Sequence, residues 1–272
     1  MNTMPEPVIL TKAEYALIAG VLGASTLIGV DDPFKGLLAN EIRAELDKTL
    51  AGLVERGIAE VRADRRVIFE QQTGLLAATC AFPEASFVLT RTHGDGTVDQ
   101  RYLHITRLAS AEMADSSEQD LALIRLDNPQ AVFERVQDLL GLAGAETADL
   151  PGALLPRANL TRVIALAHES GEEAACSALV ESGVELATAE VLARSLARPA
   201  LNASFVALAQ NGERWQSRGV ALLLGDGRLW SLAPTERDGE EWVSVAPCTV
   251  EAVTGEIGRL MSEMLPFPVS LA

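Results

Sequence analysis

The chain has 272 residues, 48% hydrophobic and only 4% aromatic, with a formal net charge of −16. That length makes one large domain or two ordinary ones, with Ala, Leu and Val to fill the core. Twenty-two basic against 38 acidic residues leave no basic stripe for a phosphate backbone, so no nucleic-acid partner is expected.

Residues 1–10 read as a loose segment or an edge strand, given Pro5 and Pro7. Thr11 is a good N-cap and Glu14 completes a capping box, so a helix is expected to about Val21 with Tyr15, Leu17 and Ile18 apolar. The uncharged run Ala16–Val30 is shorter than the ~20 residues of a spanning helix, and it contains Gly20, Gly23 and Gly29. It reads as a buried helix ending in a loop. Glu6, Lys12 and Glu14 form no basic leader before it, so neither export nor a membrane is expected, and the Asn-x-Ser/Thr triplets at Asn159 and Asn202 carry no glycosylation signal.

Asp31-Asp32-Pro33 is a second helix start. An apolar stripe of Leu37, Leu38, Ile42, Leu46, Leu50, Leu53 and Val54 runs from it to Gly57, a C-cap. Ile58–Val61 and Val67–Phe69 read as short strands around the turn Arg62–Arg66, and Thr73–Cys80 as a short helix closed by Pro83. Ser86-Phe87-Val88, Tyr102–Ile105 and Leu121–Leu126 are predicted strands, with a turn at His93-Gly94-Asp95-Gly96. Ser110–Asp120, the most polar segment, is expected as a solvated loop. Asn128-Pro129 opens a helix with Val132, Phe133, Val136, Leu139 and Leu140 on one face.

Gly141–Pro156 is rich in Gly, Pro and small residues and reads as a linker. The organisation expected is a first half at 1–142, a linker at 143–157 and a second half at 158–272. Asn159 or Thr161 is expected to cap a helix, with further helices at Glu172–Val180 and Thr188–Ala197. Strands follow at Ser204–Leu208, Val220–Leu224, Arg228–Leu232 and Trp242–Val245, then a helix over Val250–Leu265. Val250, Val253, Ile257, Leu260, Met261 and Met264 share one face of it. The tail Pro266-Phe267-Pro268 reads as extended.

Two phrases recur in the same order. Ser86-Phe87-Val88 matches Ser204-Phe205-Val206, an offset of 204 − 86 = 118, and Ala51–Ile58 resembles Ser177–Val184, an offset of 177 − 51 = 126. Such self-similarity points to a duplication. A few antiparallel strands per half would leave unpaired edges, so the economical solution joins them into one sheet covered by helices. The expected class is α+β, pseudo-two-fold βββα halves sharing a central antiparallel sheet.

No catalytic constellation is visible. His93, His104 and His168 form no His-x-x-x-His pair, and Asp95, Thr97 and Asp99 lack the glycine and terminal acid of a calcium loop. Phosphate loops and nucleophile elbows are absent as well. Cys80, Cys176 and Cys248 read as free thiols. No enzyme, cofactor or metal is therefore expected.

Leu46–Phe69 also has the outline of a winged helix with Arg62, Arg65 and Arg66 on its wing. The alternative reading is thus a transcriptional regulator with an N-terminal DNA-binding segment and a C-terminal sensor half; the net charge favours the other. The hairpins 91–101 and 210–219 occupy equivalent places in the two halves. His93, Asp95, Arg214 and Trp215 on them are the candidate partner-binding residues, since Trp and Arg dominate interface hot spots.

The stretch Leu196-Ala197-Arg198-Pro199-Ala200-Leu201-Asn202-Ala203-Ser204-Phe205-Val206-Ala207 resembles the helix-to-strand junction of the EspG family, cytosolic chaperones associated with type VII secretion. Trp242-Val243-Ser244-Val245-Ala246-Pro247, with the helix Val250–Leu265 and Pro266 after it, is similar too. The first half, from Leu53–Ile58 to Leu142, has a like order of elements, while the helix Thr11–Val21 and the glycine-rich stretch after it depart from the pattern. The resemblance implies a quasi-symmetric antiparallel sheet with flanking helices. It also implies a non-enzymatic, cytoplasmic module that holds the hydrophobic tip of a helical PE–PPE secretion substrate.

Overall fold

The architecture is set by two strands with an in–out alternation through their middles, β4 (Ala85–His93) and β9 (Pro199–Asn211). In the computed structural model, which describes residues 5–211 and 214–267, Ala85, Phe87 and Leu89 are fully buried, as are Phe205 and Ala207. Val88 and Thr90 between the first set, and Ser204, Val206 and Leu208 around the second, are only half-buried. Because successive strand residues point to opposite faces, one face of this pair is core and the other is partly open. The strands run antiparallel in register from Ala85↔Ala209 to His93↔Leu201, which sets Val88 directly across from Val206.

The remaining elements are arranged about that pair. Before β4 come β1 (Val8–Thr11), α1 (Lys12–Leu22), α2 (Ala39–Glu55), the small hairpin β2 (Ala59–Val61) and β3 (Val67–Phe69), and α3 (Gln71–Ala81). After it come β5 (Val98–Ile105), β6 (Ser110–Asp115), β7 (Asp120–Leu126) and α4 (Pro129–Leu140). Before β9 come β8 (Ala153–Pro156), α5 (Arg157–Glu169), α6 (Glu172–Glu181) and α7 (Leu186–Ala197). After it come β10 (Arg214–Gly225), β11 (Arg228–Arg237), β12 (Glu240–Pro247) and α8 (Val250–Met264).

Ten strands form one antiparallel sheet in the order β1-β7-β6-β5-β4-β9-β10-β11-β12-β8. The order reads alike from either edge: a short strand, then a four-strand meander from last to first. The pseudo-two-fold axis passes between Val88 and Val206, which are also 206 − 88 = 118 residues apart. The two edges are four-residue strands, and short edges offer little to a stray strand.

Helices cover both faces. α4 and α8 lie across the middle of one face over Phe87, Leu89, Leu103, Phe205 and Leu222. On the other face, α1–α3 pack over Ala111, Met113, Leu121 and Leu123 of one wing. There α5–α7 pack over Leu223, Trp230 and Val245 of the opposite wing.

The local signals explain most boundaries. Thr11 Oγ1 accepts from Glu14 N at 3.0 Å and Glu14 accepts from Thr11 N at 2.8 Å, the reciprocal box expected for α1. Asn128 Oδ1 accepts from Ala131 N at 2.9 Å ahead of Pro129, starting α4. Thr249 does the same for α8, which buries Val253, Ile257, Leu260, Met261 and Met264.

Four local expectations give way. The helix predicted from Asp31-Asp32-Pro33 starts only at Ala39. Asp32 Oδ1 accepts from Phe34 N at 2.9 Å and so caps a turn, while Glu41 binds Leu38 N at 2.7 Å and fixes the true start. Neither Asn159 nor Thr161 caps α5. It begins at Arg157 after Pro156, and Thr161 Oγ1 instead donates back to Arg157 O. Ser110–Asp115 is a buried strand rather than a solvated loop. Glu112 is fully buried there because Arg135 of α4 reaches it at 2.6 Å and Arg101 at 3.4 Å. The segment expected as linker contains β8, paired to β12 with Leu155 opposite Val243.

Candidate functional site

The two helical blocks on the second face stop short of its centre. Between them runs a trough whose floor is the outward alternation of β4 and β9: Val88 and Thr90, with Ser204, Val206 and Leu208. Val88, Val206 and Leu208 make the middle of the floor apolar, and Thr90, Ser204 and Asn202 make it polar toward one end. The wall on the first side includes the loop after α1. That loop passes so close to β5 that a Cβ at Gly29 would overlap the Tyr102 ring. Burial is the main cause that pushes the Tyr102 phenol pKa up, with Asp115 and Asp31 adding to it. The opposite wall is deepened by a cleft of about 840 Å³ between α5 and the sheet, lined by Leu160, Ile164, Ala221, Leu232 and Pro234.

The residues singled out in sequence fall at the two mouths of this trough. Antiparallel pairing sends the turn after β4 to the start of β9, and the turn after β9 to the start of β4. His93 and Asp95 therefore stand at one mouth and Trp215 at the other, and the fold does not bring the two sets together. Asp95 is exposed, and its Oδ1 accepts from Thr97 N at 2.9 Å. That bond to the Thr97 backbone holds the Asp95 carboxyl below its usual pKa. Trp215 lies opposite Gln210 on the trough face and is 48% exposed. Arg214 pairs through its backbone with Asn211; its side chain lies outside the described residues.

The floor itself escaped the sequence reading, although Ser204-Phe205-Val206 carries the signal. If Phe205 faces the core, its neighbours must face away. What the sequence does not give is that these neighbours stay only half-buried, between the two helical blocks.

On the α4 face, a polar network joins Arg91, Arg101 and Arg135 to Asp99 and Glu112. Arg91 binds Asp99 and the Leu139 carbonyl, and Arg101 bridges Asp99 at 2.8 Å and Glu112. Burial raises the Asp99 carboxyl pKa, but Arg91 and Arg101 together outweigh it and leave the group below its usual range. This network ties α4 to the sheet. On the proposed wing, Arg62 and Arg66 are paired with Glu60 and Asp64, which lowers their value for binding phosphate. Among the described residues, no group of His, Cys, Asp and Glu is placed to hold a metal, and no helix is long and apolar enough to cross a membrane.

No family model matches the sequence, and no curated protein does. Solved structures do. The chain is similar to the Mycobacterium tuberculosis type VII secretion system chaperone EspG5, in its complex with the PE25-PPE41 dimer, at 16% identity and a TM-score of 0.64. The similarity covers 97% of this chain and 98% of that one. End to end, this chain has the fold of an EspG chaperone.

Proposed function

We propose that the chain is a non-enzymatic, cytoplasmic protein-binding module that holds a helical export substrate in the trough of its sheet. The observation that carries this reading is the partly exposed apolar floor at Val88, Val206 and Leu208, at the centre of a fold shared with a secretion chaperone. A trough walled by helices suits a rod-shaped helical partner, a helical hairpin of the PE–PPE kind. Trp215 at one mouth and His93 with Asp95 at the other would contact it at its two ends. The matched order of elements and the 118-residue offset support an origin by duplication, which would make the trough the joint between two ancestral units.

Photo-crosslinking tests the reading in the native host. A benzophenone side chain placed at Val206 or Leu208 should capture a helical protein destined for export, and one at Glu251 on α8, on the far face, should not. Adducts only from Glu251, or only general chaperones from every position, would remove the trough as the binding surface.

A further inference from the structure

The two halves are packed differently where the last helix before each meander meets the sheet. In the second half this contact is filled. Ser195 Oγ of α7 lies 3.0 Å from the carbonyls of both Val191 and Gly225, and accepts the Trp230 indole N–H at 3.1 Å. Trp230 and Leu223 are buried beneath α7, and a Cβ at Gly225 would overlap the Ser195 backbone.

The first half has the same frame without the filling. Thr79 of α3 stands where Ser195 stands, and Leu75 where Val191 stands, each pair 116 residues apart (195 − 79 = 116; 191 − 75 = 116). Thr79 Oγ1 donates to Leu75 O at 2.9 Å, the counterpart of the Ser195 to Val191 bond. Among the described residues, nothing donates to Thr79 Oγ1. The registers, counted outward from Val88↔Val206, put Thr106 in the place of Leu223 and Ala109 in the place of Trp230. Both replacements are smaller. The hairpin is also shorter here: Thr106 closes directly on Ala109 at 2.9 Å, whereas β10 and β11 go on through Leu224↔Leu229 and Gly225↔Arg228.

Beside this shortened hairpin lies a cleft of about 440 Å³ lined by Leu75, Ala78, Thr79, Phe82 and Leu108, with Thr106 and the ion-paired Glu84 and Arg107 also in its wall, a size that holds a bulky side chain. Phe82 is 46% exposed and Leu108 is 88% exposed. It opens at the end of the sheet where β4 begins, the same end as Trp215.

We infer that this cleft is an anchor site for a tryptophan side chain presented by the protein partner, its indole N–H donated to Thr79 Oγ1 and its ring held between α3 and the β5–β6 turn. The inference rests on the reading of the chain as a protein-binding module and adds a requirement on the partner, an exposed tryptophan. The second half supplies the precedent for the occupant, because the equivalent hydroxyl and helix face already hold an indole in that manner. A buried indole needs an acceptor for its N–H, and aromatic anchors seated in pockets dominate interface energetics.

N-acetyl-tryptophanamide, titrated into the full chain and followed by methyl NMR, tests the cleft without any partner. Millimolar binding should shift the methyls of Leu75, Ala78, Thr79 and Leu108. Thr79→Ser should retain the affinity and Thr79→Val should lose about fivefold, the worth of one hydrogen bond. The N-methylindole analogue should bind the unmodified chain as weakly as the parent probe binds Thr79→Val. Ala109→Trp should fill the cleft and abolish the shifts; if that variant fails to fold, Leu108→Ser should weaken binding in its place. Shifts elsewhere only, equal binding of N-acetyl-leucinamide, or indifference to N-methylation would overturn the assignment. Those results would leave the trough reading intact, since crosslinking at Val206 does not depend on the cleft.

Discussion

The rings of Phe87 and Phe205 stack at the middle of the sheet, their centroids 5.6 Å apart and their planes within 8°. They occupy equivalent places in the two halves, one residue before Val88 and Val206, so each ring packs on its own counterpart across the pseudo-axis. Both are fully buried beneath α4 and α8. The joint between the halves is therefore a core contact.

Removing either ring should cost as much as a core truncation inside one domain. Phe87→Ala and Phe205→Ala should each destabilise by roughly 3–5 kcal/mol, measured by denaturant unfolding. The double variant should show a coupling of about 0.5–1.5 kcal/mol, as expected for a direct aromatic pair. Additive losses would mean that the stacking contributes nothing beyond burial of the two rings.

His104 supplies a pH dependence with a definite sign. Its ring is fully buried, Nδ1 lies 2.9 Å from Ser86 Oγ, and Nε2 has no partner among the described residues. Burial disfavours the imidazolium and pushes the pKa from 6.5 down to about 4. The unfolded chain binds this proton first as pH falls, so the stability is present in full above pH 6.5 and is lost as pH falls toward about 4. That loss is roughly 3 kcal/mol by linkage. In His104→Gln the term is absent, so the stability of the wild type relative to the variant should fall over that range. A difference that stays flat between pH 7 and pH 4 would show that the ring is solvated.

The buried Glu112 should make its partner indispensable. Arg135→Ala leaves the carboxylate under α4 with only the longer contact to Arg101, and should cost roughly 3–5 kcal/mol. Replacing both residues, as in Glu112→Met with Arg135→Met, removes the uncompensated charge and should recover most of that loss in thermal unfolding. Failure to recover would show that the pair also supports the Arg101–Asp99 side of the network.

The same carboxylate shows where sequence reading stops. Thr11 with Glu14, Asn128 with Pro129, and the alternation through Phe205 are local devices, and each produced the element its spacing implies. Ser110–Asp115 looks polar because of Glu112 and Asp115, and burial of Glu112 is made tolerable chiefly by Arg135, on α4, with Arg101 of the neighbouring strand beside it. The trough has the same character. Val88 and Val206 are ordinary strand residues until the register sets them face to face and the helical blocks stop on either side of them. The cleft at Thr79 is legible only by comparison with Ser195, which needs both registers. In each case the missing information is long-range pairing.

Partner binding should respond most to the trough and its apolar mouth. Trp215→Ala removes an exposed indole that is not part of the core, so the fold should be unaffected, while affinity for a helical export substrate should drop by about 2 kcal/mol, roughly 30-fold, if the ring is an interface anchor. Val206→Asp puts a charge on the apolar floor and should abolish binding, because a docked partner would desolvate that carboxylate. At the opposite mouth, Asp95 is exposed and already accepts a backbone N–H from Thr97, so Asp95→Ala should weaken binding only slightly and mainly at low salt. Calorimetry on the purified complex orders the three variants. An order led by Asp95 would move the contact away from the trough floor and onto the turn after β4.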